Sequence, residues 1–263
     1  MSKPRVIILK TAGVNCDQET ANAFESAGGT AEFVHINQLA SGEARLNDYQ
    51  ILAFSGGFTY GDDIAAGKVL ANELKCRLFG SLNDFIKQGK LIIGICNGFQ
   101  VLVKAGLLPG NDSFDQEVTL SNNDCGVFQD RWIYLKSSAS GSVPQSRCVW
   151  TQGLPEVIYL PIAHGEGKFI PKSEEVLERL KNNGQVVFQY CDARGQSGDY
   201  PVNPNGSMDS IAGICDSSGR VFGLMPHPER HLISLQNPHW TREGLKRHGD
   251  GFKIFLNAIN YFK

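Results

Sequence analysis

The sequence lacks an excess of charge of either sign and lacks any long apolar run. Its 263 residues include 25 basic and 27 acidic side chains, for a formal net charge of −2. This balance argues against nucleic acid or an anionic membrane as the main partner, because such partners usually require a basic excess. No stretch approaches the roughly 18 apolar residues of a membrane-spanning helix, and the early apolar run at residues 6–9 is too short for a signal peptide. We therefore expect a cytoplasmic protein that acts on a small substrate.

The sequence also lacks paired cysteine motifs. Seven cysteines occur, an odd number, and none belongs to a Cys-x-x-Cys pair. Neither a disulfide framework nor a zinc ribbon is indicated. We expect most of the cysteines to be reduced and buried as small hydrophobic side chains.

What the sequence does contain is an alternation of short apolar runs and helical segments. Predicted strands lie at residues 5–10, 31–36, 51–54, 90–95, 131–136, 157–162, 185–190, 211–215 and 221–225. Predicted helices lie at residues 17–27, between 65 and 88, and at 251–262. Continuously apolar strands separated by helices are typical of a parallel sheet covered on both faces. We predict one α/β domain over residues 1–263, a doubly wound, mostly parallel sheet with a polar, turn-rich insertion between residues 109 and 150.

The segment around Cys96 carries the strongest chemical signal. A predicted strand ends at this cysteine and a helix-compatible segment begins at once, with Gly94 and Gly98 on either side. Small neighbours permit a strained strand-to-helix turn that lifts the side chain above the sheet, as in a nucleophile elbow. The helix N-terminus favours a thiolate, and the backbone N–H of Asn97 points to where an oxyanion would form. The pattern predicts a catalytic cysteine rather than a buried packing residue.

A thiolate nucleophile needs a base and a residue that orients the base. Two of the six histidines, His164 and His227, stand two residues before a glutamate, Glu166 and Glu229 respectively. Alternate residues of an extended segment share a side, so the spacing alone allows either pair. His227 lies between two prolines and follows a predicted strand at the carboxyl edge of the sheet, where ligands bind. We favour His227 as the base and expect His164 to lie in a solvated turn.

Consecutive glycines follow the predicted strand at residues 51–54. Gly56 and Gly57 allow the backbone to come close to a ligand and to aim an N–H group at it. A second oxyanion donor requires both features. A simple tight turn is the alternative interpretation of this glycine pair.

These segments together resemble the class I glutamine amidotransferase family. The resemblance rests on three motifs, Ser55-Gly-Gly57, Gly94-Ile-Cys96-Asn-Gly-Phe-Gln100 and His227-Pro-Glu229. Further motifs resemble the glutaminase subunits of this family that serve purine biosynthesis: Gly56-Gly-Phe-Thr-Tyr-Gly-Asp62, Gly106-Leu-Leu-Pro-Gly110, Ala163-His-Gly-Glu-Gly167, Asn203-Pro-Asn-Gly-Ser207 and Gly223-Leu-Met-Pro-His-Pro-Glu229. The similarity extends from near the N-terminus to about residue 230.

The resemblance implies a fold and a role for each matching residue. The implied fold is flavodoxin-like. The implied catalytic triad is Cys96, His227 and Glu229. The backbone N–H groups of Gly57 and Asn97 are the implied oxyanion hole.

The implied activity is hydrolysis of L-glutamine to glutamate and ammonia, with Gln100 in contact with the substrate. The ammonia would pass to the synthetase subunit of phosphoribosylformylglycinamidine synthase, which converts formylglycinamide ribonucleotide to its amidine. A small bridging subunit is a further implied partner. No cofactor or metal is expected in this chain, because ATP and magnesium would belong to the synthetase.

Other functions remain open at this point. A stand-alone cysteine amidase would use the same triad without a partner protein. A glutaminase subunit of another synthetase would use the triad with a different partner. A catalytically inactive regulatory subunit is a third hypothesis, although the intact cysteine, histidine and glutamate argue against it. Residues 130–149 look long for a minimal subunit, which leaves the mode of partner docking open.

Overall fold

The computed structural model describes residues 3–111, 113–138 and 146–263. In chain order its strands are β1 (Arg5–Lys10), β2 (Thr30–His35), β3 (Ile51–Phe54), β4 (Leu91–Ile95), β5 (Val118–Ser121), β6 (Gln129–Ser137), β7 (Val157–His164), β8 (Lys168–Pro171), β9 (Val186–Cys191), β10 (Ile211–Cys215) and β11 (Val221–Leu224). Its α-helices are α1 (Asp17–Ser26), α2 (Ile36–Ser41), α3 (Lys68–Arg77), α4 (Phe79–Lys87), α5 (Asn97–Lys104), α6 (Glu174–Asn182), α7 (Trp240–Glu243) and α8 (Phe252–Asn260).

One mixed sheet organises the molecule. Its strand order is β2-β1-β3-β4-β11-β10-β9-β6-β7, and β5 pairs with β8 in a separate small sheet. The strands from β2 to β11 are parallel, whereas each later pair, from β11/β10 to β6/β7, is antiparallel. The fully buried strands β3 and β4 lie in the parallel half, as expected for strands covered on both faces.

Helices cover both faces of the parallel half. Phe222 of β11 packs against Trp150, which contacts Phe24 of α1. The neighbouring Gly223 faces Phe99 of α5 instead. Because successive strand residues point to opposite faces, α1 and α5 lie on opposite sides of the sheet. The predicted doubly wound α/β fold is confirmed.

Each predicted strand is present, with small shifts at its ends. The predicted helical stretch between residues 65 and 88 is two helices, α3 and α4, because the backbone of Leu78 leaves helical geometry at φ −127°. The sequence patterns did not predict α2, α6, α7, β5 or β8.

The predicted insertion between residues 109 and 150 contributes β5 to the small sheet and β6 to the large one. Of its polar run at residues 137–141, positions 139–141 lie outside the described residues.

The cysteines behave largely as expected. All seven are free, and five are buried, whereas Cys76 is exposed and Cys125 is half-buried. Within the described ranges, no helix is both long and apolar enough to cross a membrane. The assignment of the whole chain to one domain stays a prediction.

Candidate active site

Three neighbouring parallel strands end at one place. β4 lies between β3 and β11, and each pairs with it in parallel. Cys96 follows β4 directly, Gly57 lies just beyond β3, and His227 lies just beyond β11. The carboxyl ends of parallel strands meet at one edge of a sheet, where ligands bind in open α/β folds. The sheet topology therefore brings together three residues that are far apart in the chain.

Cys96 occupies a strained turn between β4 and α5. Its φ of 52° and ψ of −107° are unusual for a residue with a side chain, as in a nucleophile elbow. A Cβ atom at Gly94 would lie 2.6 Å from the Gly98 carbonyl oxygen, and one at Gly98 would overlap the Phe54 carbonyl. Both glycines are thus required by close backbone approach, as predicted. The buried Cys96 Sγ lies 3.5 Å from the carbonyl oxygen of Ala163.

His227 and Glu229 form a buried pair. Nδ1 of His227 lies 2.6 Å from Oε1 of Glu229, and both side chains are almost fully buried. Because a carboxylate only accepts, Nδ1–H donates this hydrogen bond and Nε2 is left to face other groups. Among the described residues, Nε2 has no hydrogen-bond partner. The backbone is held in place as well, since the His227 N–H donates to the Pro161 carbonyl at 2.8 Å.

Electrostatics favour the charged form of His227. Burial lowers the pKa of His227, but the charge of Glu229 and that of Cys96 raise it, as do the neighbouring thiols of Cys16 and Cys96. The net result is a pKa well above the ordinary value for histidine. An imidazolium beside a cysteine stabilises a thiolate and can later donate a proton to a leaving group.

Gly57 lines the same pocket as Cys96, and Asn97 follows Cys96 in the chain, so their role as oxyanion donors stays a prediction. Neither the Gly57 N–H nor the Asn97 N–H has a hydrogen-bond partner among the residues that the structure describes. The side chain of Asn97 fixes the surrounding loop, because its Oδ1 accepts from the Thr59 N–H at 3.1 Å and its Nδ2 donates to Asp62 Oδ1 at 3.0 Å. Burial raises the pKa of Asp62.

Gln100, the predicted substrate contact, is buried at the same pocket. Its Nε2 donates to the Glu166 carbonyl oxygen at 2.6 Å, and its Oε1 accepts from Asn97 Nδ2 at 2.9 Å. The Glu166 carboxylate accepts from the Ala66 N–H at 3.2 Å and lies 3.8 Å from Nζ of the buried Lys104. Burial lowers the pKa of Lys104. These contacts join three separate segments into one pocket wall.

The expectation that His164 lies in a solvated turn is wrong. His164 is the last residue of β7 and is 2% exposed. Burial, followed by the charge of His227, lowers its pKa to about 3, so the imidazole stays neutral. Local spacing could not reveal this burial, because the residues that cover His164 come from distant parts of the chain.

Asn123 is the residue that sequence reasoning missed. This buried side chain donates through Nδ2 to the His164 carbonyl at 2.9 Å and to the Val127 carbonyl at 3.0 Å. Its Oδ1 accepts from Nδ1 of His164 at 3.2 Å and from the Gly167 N–H at 3.1 Å. The amide thus uses its full hydrogen-bonding capacity to hold residues 163–167. Its place in the polar run at residues 121–124 was the one available signal.

Residues 163–166 line the same pocket as Cys96 and Gly57, so the insertion that carries Asn123 shapes the site.

One group of side chains in the described part of the chain could hold a metal ion. Cys16 Sγ, a ring nitrogen of His227 and a carboxylate oxygen of Glu229 all lie within 4.8 Å of one another. Two of these residues belong to the predicted triad, and their hydrogen bond already occupies Nδ1 and Oε1. The absence of a metal or cofactor from this chain stays a prediction.

Cys96 and Gly57 therefore line one pocket, and the pair of His227 and Glu229 follows the neighbouring strand β11. Asn97 comes directly after Cys96 in the chain. The catalytic roles of these five residues stay predictions. Such an arrangement can perform nucleophilic acyl transfer, because it offers a cysteine nucleophile, an oriented imidazole and free N–H donors.

Comparisons with known proteins agree with this chemistry. Residues 3–262 match the model of the CobB/CobQ-like glutamine amidotransferase domain. A phosphoribosylformylglycinamidine synthase subunit PurQ from Dehalococcoides mccartyi is 51% identical, over 99% of this chain and 98% of the relative. The subunit of the same name from Methanococcus maripaludis is 45% identical, over 98% and 97%.

A solved structure shares the fold. A chain in the structure of PurLQS from Thermotoga maritima superposes with a TM-score of 0.75 at 31% identity, and the match covers 100% of both chains.

Proposed function

The chain belongs to the CobB/CobQ-like glutamine amidotransferase family, and from this membership we propose that Cys96, His227 and Glu229 catalyse its glutaminase reaction. The chain is a glutamine amidotransferase of class I. It serves as the glutaminase subunit of a phosphoribosylformylglycinamidine synthase, an enzyme of purine biosynthesis. This assignment displaces the stand-alone amidase, the subunit of another synthetase and the inactive regulatory subunit.

One observation carries the proposed mechanism. Three neighbouring parallel strands, β3, β4 and β11, end next to a glycine with a free N–H group, a strained cysteine and a buried histidine–glutamate pair respectively, and this adjacency supports the mechanism. In the first step Cys96 Sγ attacks the carboxamide carbon of L-glutamine. The N–H groups of Gly57 and Asn97 bind the resulting oxyanion, and His227 donates a proton to the leaving ammonia. His227 then takes a proton from a water molecule, which hydrolyses the thioester to glutamate and frees Cys96.

Glu229 supports both steps through His227. Its carboxylate accepts from Nδ1–H at 2.6 Å, which leaves Nε2 to transfer protons. It also stabilises the imidazolium that precedes ammonia release. Gln100 lines the pocket beside Cys96, and we assign it the contact with the body of the glutamine substrate.

The chain works in a complex with a synthetase subunit. We propose that this partner holds the ATP and magnesium and consumes the ammonia, and that a small bridging subunit completes the assembly. Two exposed phenylalanines at the pocket, Phe58 and Phe128, support docking over its mouth, with ring centroids 6.5 Å apart. A cover at this mouth would keep ammonia from bulk water, and apolar rings suit a protein contact. A cytoplasmic location stays a prediction.

Replacement of the nucleophile tests the proposal. Cys96→Ala, assayed with the synthetase, is expected to abolish glutamine-dependent synthesis while ammonia-dependent synthesis continues, because only ammonia production passes through the thiolate. An electrophilic glutamine analogue is expected to label Cys96 in the wild type. Cys191→Ala is the matched control, because Cys191 is equally buried but lies at the end of β9. Labelling of another cysteine with loss of activity, while Cys96 remains unmodified, would disprove the assignment.

A further inference from the structure

The loop of residues 12–16 runs against the glycine-rich segment that follows β3. The N–H groups of Asn15 and Cys16 both donate to the Gly56 carbonyl oxygen, at 3.3 Å and 3.2 Å. In the opposite direction, the Phe58 N–H donates to the Gly13 carbonyl oxygen at 2.9 Å. The two segments thus hold each other through backbone groups alone.

This pairing sets the direction of the Gly57 N–H. The peptide between Gly56 and Gly57 is planar and trans, so its carbonyl and its N–H point in opposite directions. With the carbonyl held by Asn15 and Cys16, the N–H points away from the loop of residues 12–16. Gly57 lines the pocket together with Cys96, and its N–H has no partner in the described part of the chain.

The two backbones pack closely on either side of this peptide. Gly57 has a φ of 146°, and a Cβ atom there would lie 2.6 Å from the Gly13 carbonyl oxygen. Gly13 has a φ of 86°, and a Cβ atom there would overlap the Phe58 carbonyl. Both glycines are needed because the two backbones approach closer than side chains allow.

The side chain of Cys16 holds the loop on its other side. Its Sγ accepts from Nη2 of Arg230 at 3.1 Å, and it would lie 3.1 Å from a Cβ atom at Gly56. The same Sγ is within 4.8 Å of His227 and Glu229. The loop is therefore anchored to the segment that carries the base.

We infer that residues 12–16 form a positioning element, which fixes the Gly57 N–H in the orientation that the oxyanion requires before glutamine binds. The inference rests on the proposed function. A fixed donor needs no reorganisation during the reaction, which is the source of its catalytic effect.

Gly13→Ala tests the inference, because it forces the loop away from Phe58. The matched control is Gly42→Ala, since Gly42 has a similar φ of 78° but a Cβ atom there would contact nothing. Both substitutions strain a left-handed residue, and only the first disturbs the pairing.

The rates of glutamine hydrolysis and of Cys96 alkylation, both measured on the full chain with its synthetase, separate loss of the oxyanion donor from general damage to the site. Glutamine hydrolysis passes through an oxyanion, and we expect it to fall roughly 10²- to 10³-fold in Gly13→Ala. Alkylation of Cys96 by iodoacetamide displaces iodide in one step and forms no oxyanion. We expect the alkylation rate, followed by mass spectrometry of the Cys96 peptide, to match that of Gly42→Ala.

A second pair of variants covers the case in which Gly13→Ala does not fold. Asn15→Pro removes one of the two N–H donors to Gly56, whereas Asn15→Ala keeps it. Both variants lose the Asn15 Oδ1 that accepts from Cys16 Sγ at 3.1 Å, so this loss cancels in the comparison. Hydrolysis by the proline variant is expected to be about tenfold slower than that by the alanine variant, with equal alkylation of Cys96.

Two results would overturn the inference. One is hydrolysis by Gly13→Ala, or by Asn15→Pro in its place, at the rate of the matched control. The other is an equal loss of hydrolysis and alkylation, which would mean a general disturbance of the site. A wild-type chain that hydrolyses no glutamine with its synthetase would refute the proposed function instead, and the inference would fall with it.

Discussion

At the residue scale, the proposed roles of the buried pair differ, because we propose that His227 transfers protons and that Glu229 orients it. We predict that His227→Ala is more damaging than Glu229→Gln. The glutamine amide can still accept from Nδ1–H, but it lacks the charge that raises the pKa of His227 against the effect of burial. By analogy with orienting carboxylates elsewhere, the loss in Glu229→Gln is expected to be roughly tenfold to 10⁴-fold in kcat/KM for glutamine.

The pH dependence of glutamine hydrolysis shows whether Glu229 acts through the charge of His227 or only supports the local structure. Without the charge of Glu229, the pKa of His227 falls, so the profile of Glu229→Gln is expected to shift to lower pH. Glu178→Gln, the same change on the exposed surface of α6, is the control and is expected to leave both rate and profile unchanged. Small and equal effects of His227→Ala and Glu229→Gln would exclude this pair from catalysis.

At the element scale, the position of α5 against β3 determines where Cys96 stands. Gly98 is the second residue of α5, and a Cβ atom there would overlap the Phe54 carbonyl at the end of β3. We predict that Gly98→Ala lowers the free energy of unfolding by about 2 kcal/mol or more and removes most glutaminase activity, because α5 must move away from the sheet. Urea denaturation and glutamine hydrolysis measure the two effects.

The second residue of α4 provides the control. Gly80 has the same place in its helix, but a Cβ atom there would contact nothing within 4 Å. Gly80→Ala is therefore expected to be neutral or to stabilise the chain by up to about 1 kcal/mol. Equal stability of the two variants would contradict the tight contact between α5 and β3.

At the scale of the whole molecule, a buried neutral histidine couples stability to pH. Burial, with a smaller effect from the charge of His227, lowers the pKa of His164 to about 3. In the unfolded chain the pKa of a histidine is about 6.5. As the pH falls below that value, the unfolded chain binds a proton that the folded chain does not. The contribution of His164 to stability is thus present above about pH 6.5 and is lost as the pH falls toward 3.

We predict that between about pH 7 and pH 5 the wild type loses about 2 kcal/mol more unfolding free energy than His164→Gln. The raised pKa of His227 acts in the opposite sense, because its contribution is present at low pH and is lost as the pH rises through the folded pKa. This contribution of His227 is the same in the wild type and in His164→Gln, so it cancels when the two proteins are compared. His248→Gln, a change at an exposed histidine, is expected to keep the wild-type dependence. Equal slopes for wild type and His164→Gln would refute the prediction.

Local sequence alone determined much of this protein. The apolar runs determined the strands of the sheet, and the glycines around Cys96 determined the strained turn between β4 and α5. Such features arise within a few residues, because alternation, turn geometry and close backbone approach leave a local pattern. The preference for His227 over His164 as the base also came from local context, namely the preceding strand and the flanking prolines, and it stays a prediction.

Only the tertiary structure decided the antiparallel half of the sheet, the burial of His164 and the place of Asn123. It also decided that Asn15 and Cys16 hold the Gly56 carbonyl. The physical reason is the same in each case. Asn123 bonds to His164 across 41 residues, and hydrogen bonds of this kind depend on which strands become neighbours. A backbone carbonyl or an amide side chain has no periodic pattern in the sequence, so its partner is known only once the chain has folded.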